Sequence, residues 1–145
     1  MTIRCEIVSQ DRTVFTGDVD IVVLPGAAGE MGVLPGHAPV LTSLKFGLIK
    51  VRHKGTEEVF TVAGGIAEVQ PKIVTVLADA AENVQEIDIA RADAARARAE
   101  EALAKGLPAD TDAYLAMEAA LRKSNLRLEA ARRYGKSARS TYKEQ

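Results

Sequence analysis

Residues 26–40, GAAGEMGVLPGHAPV, put four glycines, two prolines and a histidine into one short run. A glycine-rich segment can cradle phosphates, and a histidine within it suggests proton transfer. The details of the run exclude both. None of its glycines is followed by lysine, as a phosphate-binding loop requires, and glycines at 26, 29, 32 and 36 miss the dinucleotide-binding spacing. Pro39 also prevents a regular helix from opening after Gly36. His37 and His53 are the only histidines, with no cysteine or carboxylate beside them at metal-ligand spacing. No nucleophile–base pair accompanies them. The run reads as a set of turns, with His37 structural.

The second charged constellation lies at the other end of the chain. Net charge is −1 overall, yet residues 1–86 carry 7 Lys/Arg against 11 Asp/Glu, and residues 87–145 carry 12 against 9. From Ala119 onward, eight basic residues (Arg122, Lys123, Arg127, Arg132, Arg133, Lys136, Arg139 and Lys143) face only Glu129 and Glu144. Such a block is an electrostatic handle for an acidic partner. Nucleic acid is disfavoured as that partner: the remainder of the chain is acidic, aromatics make up 4%, and Trp is absent. Cys5, the single cysteine, cannot form an internal disulfide and is expected in a strand as a small hydrophobe. No apolar run approaches the roughly 20 residues of a membrane helix. The first residues lack a signal-peptide pattern, so a cytoplasmic chain is expected.

Two kinds of element must carry these groups. Up to about Ala81 the chain reads as short β-branched strands separated by turns: Ile3–Val8, Thr13–Gly17, Ile21–Leu24, Leu48–Arg52, Glu58–Ala63, Ile66–Val69 and Ile73–Leu77. His53-Lys54-Gly55 and Gln70-Pro71-Lys72 supply two of the turns. Strands of this length at this spacing point to a small sandwich or barrel.

After Glu86 the composition shifts to Ala, Glu, Arg, Lys and Leu, which is helix chemistry. Asp88 is placed to cap a first helix, which stops near Lys105-Gly106-Leu107-Pro108. Asp110, Thr111 and Asp112 can cap a second helix ending near Tyr134-Gly135. Ile89, Ala92, Ala95, Ala99, Ala102 and Leu103 share one face of the first. Tyr114, Met117, Leu121, Ser124, Leu128 and Ala131 repeat along the second. A short connection makes the pair an antiparallel hairpin, with a seam so rich in alanine that it buries little. A marginal seam beside a basic flank suggests an element able to leave its resting place.

Three segments, in order, carry a resemblance. GEMGVLPGHAPVLTSLKFG (Gly29–Gly47), VAGGIAEVQPKIVTVLADAAE (Val62–Glu82) and the helix opened by IDIARA (Ile87–Ala92) resemble the epsilon-subunit family of rotary F-type ATP synthases, over essentially the whole chain. The fold this implies is α+β: an N-terminal antiparallel β-sandwich over residues 1–86, then a C-terminal antiparallel two-helix hairpin over 87–145. The function implied is that of a non-catalytic central-stalk subunit, coupling proton flow to ATP synthesis and restraining ATP hydrolysis through its helices. A stand-alone helical-hairpin adaptor is the alternative reading.

The resemblance also assigns partners. The sandwich would bind the gamma subunit and touch the ring of c subunits, with Glu30 matching the family's ring-contacting carboxylate. The hairpin would extend into the alpha/beta catalytic head, where Arg122, Lys123, Arg127, Arg132 and Arg133 would meet an acidic segment of the beta subunits. Some members bind ATP on the folded hairpin, and Glu82, Asp88, Arg91, Arg98 and Arg127 match that pattern. Lys123 departs from it, standing where nucleotide-binding members have arginine, and it loses the planar fork that grips phosphates bidentately. ATP would thus be a regulatory ligand rather than a required cofactor. The expected location is peripheral, on the cytoplasmic face of the cell membrane through the complex.

Overall fold

The computed structural model describes residues 1–106 and 110–135. The expected stop at Leu107-Pro108 and the basic residues Lys136, Arg139 and Lys143 lie outside the described residues. Eight strands come first: β1 (Ile3–Ser9), β2 (Thr13–Val19), β3 (Ile21–Gly26), β4 (Gly29–Val33), β5 (Val40–His53), β6 (Thr56–Val69), β7 (Ile73–Ala78) and β8 (Ala81–Asn83). A single 3-10 turn (Val84–Glu86) then leads to α1 (Ile89–Ala104) and α2 (Thr111–Tyr134). The chain divides into two compact units, residues 1–83 and 84–145. The turn at Val84–Glu86 therefore belongs with the helices: the Gln85 side chain donates to the Tyr134 carbonyl at 2.7 Å.

All the strands join one sheet, ordered β2-β1-β7-β6-β5-β3-β4, with β8 beside β6. One pairing is parallel, β1 with β7, and the others are antiparallel. The long β5–β6 hairpin runs from Val40 opposite Val69 to His53 opposite Thr56 in one register, but its ladder is interrupted between Leu44–Gly65 and Phe46–Ala63. At this interruption the ribbon bends. One half of β6 pairs with β7, and the other half, Phe60–Val62, pairs with β8. The sheet thus folds over itself into a sandwich.

Alternation fills its interior. Ile3, Cys5 and Ile7 of β1 are buried with Val22 and Leu24 of β3, Ile49 and Val51 of β5, and Val74 and Val76 of β7. Phe15 stacks at a tilt on Phe60, ring centroids 5.5 Å apart. Burial pushes the Cys5 thiol up to about 12, with the neighbouring Glu6 carboxylate adding to it. Cys5 is a neutral core residue, as expected.

Several elements differ from the sequence expectation, each for a local reason. The run read as turns contains β4, which pairs with β3 from Val22–Val33 to Gly26–Gly29; its glycines break the alternation that would have marked a strand. Glu58–Ala63 and Ile66–Val69 are one strand, because Gly64 and Gly65 bend it instead of ending it. Both glycines sit at positive φ, 90° and 128°. Ala102, expected on the seam of α1, is exposed.

Gly65 is the most constrained point of the bend. A Cβ there would run into the Leu77 carbonyl oxygen and lie 2.8 Å from the Ala78 Cα, both backbone of the adjacent strand. Gly65→Ala is therefore expected to cost at least about 2 kcal/mol, from the strained φ plus the clash. The measurement is the thermal midpoint of the sandwich, lowered by about 10 °C. An unchanged midpoint would show that the bend does not need glycine.

Candidate functional site

The hairpin carries most of the candidate residues, so its local structure decides their geometry. Asp88 caps α1: its carboxylate accepts the Arg91 backbone N–H at 3.1 Å. Asp110 caps α2 in the same way, accepting from Asp112 N at 3.0 Å. Basic Arg132 and Arg133 occupy the last turn of α2, where the helix dipole favours them. Ala92 is buried on α1, and Ser124, Leu128, Ala130 and Ala131 on α2. Apart from Ala130, these follow the expected stripes.

An ion pair marks the register of the two antiparallel helices. Arg132 Nη2 lies 3.5 Å from Asp93 Oδ1. Five residues on along α1 is Arg98, and five residues back along α2 is Arg127, so these two stand at the same height. Five residues also turn each helix by about 140°, which puts Arg98 and Arg127 on the opposite flank from the ion pair. Arg91 and Lys123 fall on that flank too, two turns from Arg98 and one turn from Arg127 respectively. Along the axis Arg91 and Lys123 are about 16 Å apart. An extended polyanion could touch all four cations; a single phosphate could not. Arg91, Arg98 and Lys123 are exposed and make no side-chain ion pair among the described residues.

The acids gather on the other flank. Asp93 and Glu100 both approach Arg96, at 3.4 and 3.8 Å. Glu129 lines a groove of about 480 Å³ there with Arg96, Asn125, Leu128, Arg132 and Arg133. The structure thus separates four of the five basic residues expected to face an acidic partner, and Arg122 is exposed beside Lys123. Lys123 and Arg127 lie on one flank, Arg132 turns to Asp93 on the other, and Arg133 sits 5.3 Å from the Tyr134 ring centroid. Glu82 belongs to the sandwich unit, on β8, where its carbonyl accepts from the Thr61 hydroxyl at 3.4 Å.

On the sandwich, Glu30 is exposed on the edge strand β4, opposite Pro25. His37 Nδ1 lies 2.7 Å from the Ala38 carbonyl, a local turn contact. His53 Nδ1 lies 3.7 Å from Asp20 Oδ1, which belongs to the carboxylate that also accepts the Lys54 N–H at 2.9 Å. Among the described residues, no His, Cys, Asp or Glu group is arranged to hold a metal. The surface does carry one feature the sequence reading missed. Leu41, Ile66 and Leu77 are 72%, 44% and 50% exposed. The register sets Ile66 beside Leu77 and Leu77 beside Val8, with Leu41 on the same face of β5, two residues from Ser43, which pairs with Ile66. Contiguous exposed apolar side chains of this kind mark an interaction surface.

Known proteins match both units. The family model of the ATP synthase delta/epsilon chain beta-sandwich domain matches residues 2–84, and that of the long alpha-helix domain matches residues 85–132. The chain belongs to the delta/epsilon chain family of ATP synthases. It is 54% identical to the ATP synthase epsilon chain of Pelotomaculum thermopropionicum over 104 residues, 72% of this chain and 78% of that one. It is 47% identical to that of Dehalococcoides mccartyi over 131 residues, 89% and 91% of the two chains. Among solved structures, a chain in the cryo-EM structure of the Euglena gracilis mitochondrial ATP synthase, OSCP/F1/c-ring in rotational state 1, matches with TM-score 0.71. It is 28% identical, and the match covers 90% of this chain and 81% of that one. A chain from the Tetrahymena thermophila mitochondrial ATP synthase central stalk/c-ring structure, at 13% identity and TM-score 0.61, shares the fold.

The sequence alone exposed the cap at Asp88 and the charges near it. It could not expose the Asp93–Arg132 contact, since 39 residues separate the partners, nor the apolar row, whose residues come from four strands. The cap is directly testable. Asp88→Ala is expected to destabilise the start of α1 by about 1 kcal/mol. Hydrogen exchange of the first-turn amides should accelerate about five-fold; unchanged exchange would show that the cap is dispensable.

Proposed function

We propose that this chain is a non-catalytic rotor subunit of a proton-translocating F-type ATP synthase, linking the central stalk to the ring and restraining ATP hydrolysis through its helices. The observation that carries the proposal is the pair of family matches, sandwich and helices in order, on a chain with two separate compact units. No helix among the described residues is long and apolar enough to cross a membrane, and association would come through the complex. The gamma subunit is assigned the apolar row of Val8, Ile66, Leu77 and Leu41. The c ring is assigned the exposed carboxylate of Glu30. Beta subunits of the catalytic head are assigned the basic residues Arg122, Lys123, Arg127, Arg132 and Arg133, which the hairpin would carry into reach on extending. The cytoplasmic face of the cell membrane is the corresponding location.

Complexes reconstituted with variants separate these roles. A chain ending at Glu86 should still assemble and support synthesis while ATP hydrolysis rises, because the sandwich closes its own core. Ile66→Glu with Leu77→Glu should instead weaken binding to gamma at least ten-fold at an unchanged thermal midpoint. Failure of the truncated chain to assemble would overturn the division of labour.

ATP is the proposed regulatory ligand of the hairpin flank that carries Arg91, Arg98, Lys123 and Arg127, with Asp88 at the start of the first helix. The support is the shared height of Arg98 and Arg127 and the exposure of Arg91, Arg98 and Lys123. Binding would favour the closed hairpin, because only side-by-side helices bring cations of both to one ligand. Calorimetry of ATP into the isolated protein should show binding that Arg98→Ala weakens at least ten-fold and Lys123→Arg strengthens. No heat at millimolar ATP would remove the ligand from the proposal.

A further inference from the structure

An ion pair, Asp93 with Arg132, crosses between the two helices. The α1 stripe is largely alanine, with Ala92, Ala95 and Ala99 set against Leu121, Ser124, Leu128 and Ala131 of α2, and alanines interlock weakly. Against that background one carboxylate has an unusual position. Asp93 Oδ1 is 3.4 Å from Arg96 on its own helix and 3.5 Å from Arg132 on the other. Arg96 has a second partner, Glu100, on its own helix at 3.8 Å. Asp93 is therefore the one acid of this group that reaches across the hairpin, and Arg132 is what it reaches.

Arg132 is also one of the basic residues assigned to an outside acidic partner. It cannot serve Asp93 and that partner at once. We propose that Asp93 is an internal competitor for Arg132, a latch that holds the guanidinium across the closed hairpin and releases it only when the helices part. The competition rests on the reading of the hairpin as an element that opens, and the latch does not. All the charged groups facing the pair fit this role. Arg96 lies between Asp93 and Glu100 on α1 at 3.4 and 3.8 Å, while Glu129 and Arg133 of α2 border the same groove. Both partners are solvent-accessible, with side chains 41% and 58% exposed. An exposed pair is weak enough to break reversibly and strong enough to bias a marginal seam.

The test uses the full-length chain with donor and acceptor dyes on cysteines introduced at Ala90 and Ala120, both exposed, while Cys5 stays buried. Opening lengthens the dye separation. Asp93→Asn should raise the open-to-closed ratio about two- to five-fold at low salt, and Arg132→Gln should match it. The double variant should go no further than either single change. Glu100→Gln, which touches only the α1 side of the network, should leave the ratio unchanged. An unaltered ratio in Asp93→Asn, or additive effects in the double variant, would overturn the latch. In the parent complex, Asp93→Asn should deepen inhibition of hydrolysis and the double variant should not. A ratio that moves with no response in hydrolysis would keep the latch and overturn the competition.

Discussion

The bend in the β5–β6 ribbon is the constraint on which the sandwich depends. A sheet of this many strands must either expose one face or fold over, and folding over needs a place where the longest ribbon can turn without losing its ladder. That place is the interruption between Leu44–Gly65 and Phe46–Ala63, after which the pairing resumes in the same register. Gly64 and Gly65 take backbone conformations closed to other residues, and the β7 backbone passes so near that no side chain fits at Gly65. The opposite strand has a related constraint. A Cβ on Gly47 would lie 2.7 Å from the Pro25 ring, at the irregular part of the β3–β5 pairing where proline is tolerated.

The hairpin follows a different physical logic. Its helices are well specified one at a time, by aspartate caps and alanine-rich propensity, and only loosely specified as a pair. The alanine stripe of α1 lets the backbones approach but gains little from burial, so polar contacts such as Asp93–Arg132 weigh more than they would between two leucine stripes. An element of this kind has strong local structure and a weak tertiary hold. That combination lets the helices persist while their mutual arrangement changes. A single close-packed core holds the sandwich, which suits a fixed platform.

Charge on the hairpin is sorted by flank, although the sequence interleaves it. Arg91 and Arg98 are seven residues apart and fall on one side of α1, while Asp93, Arg96 and Glu100 fall on the other. Because α2 runs antiparallel, its Lys123 and Arg127 join the flank of Arg91 and Arg98, and Glu129 joins that of Asp93 and Arg96. One flank gathers cations of both helices, and the other pairs cations with acids. Proximity in sequence would have merged the two.

The sequence by itself determined the change from strands to helices near Glu86, both helix caps, and the buried role of Cys5, because each depends on local propensity or simple alternation. It also carried the family resemblance, through contiguous segments. Tertiary structure decided the rest. Strand β4 was hidden because glycines carry no alternation, and the continuity of β6 was hidden because Gly64-Gly65 reads equally well as a break. The parallel pairing of β1 with β7, the exposure of Leu41, Ile66 and Leu77, and the choice of Asp93 as the partner of Arg132 depend on which distant elements become neighbours. Pairing between distant segments is a property of the closed sheet and of the helix register, and no local pattern encodes it.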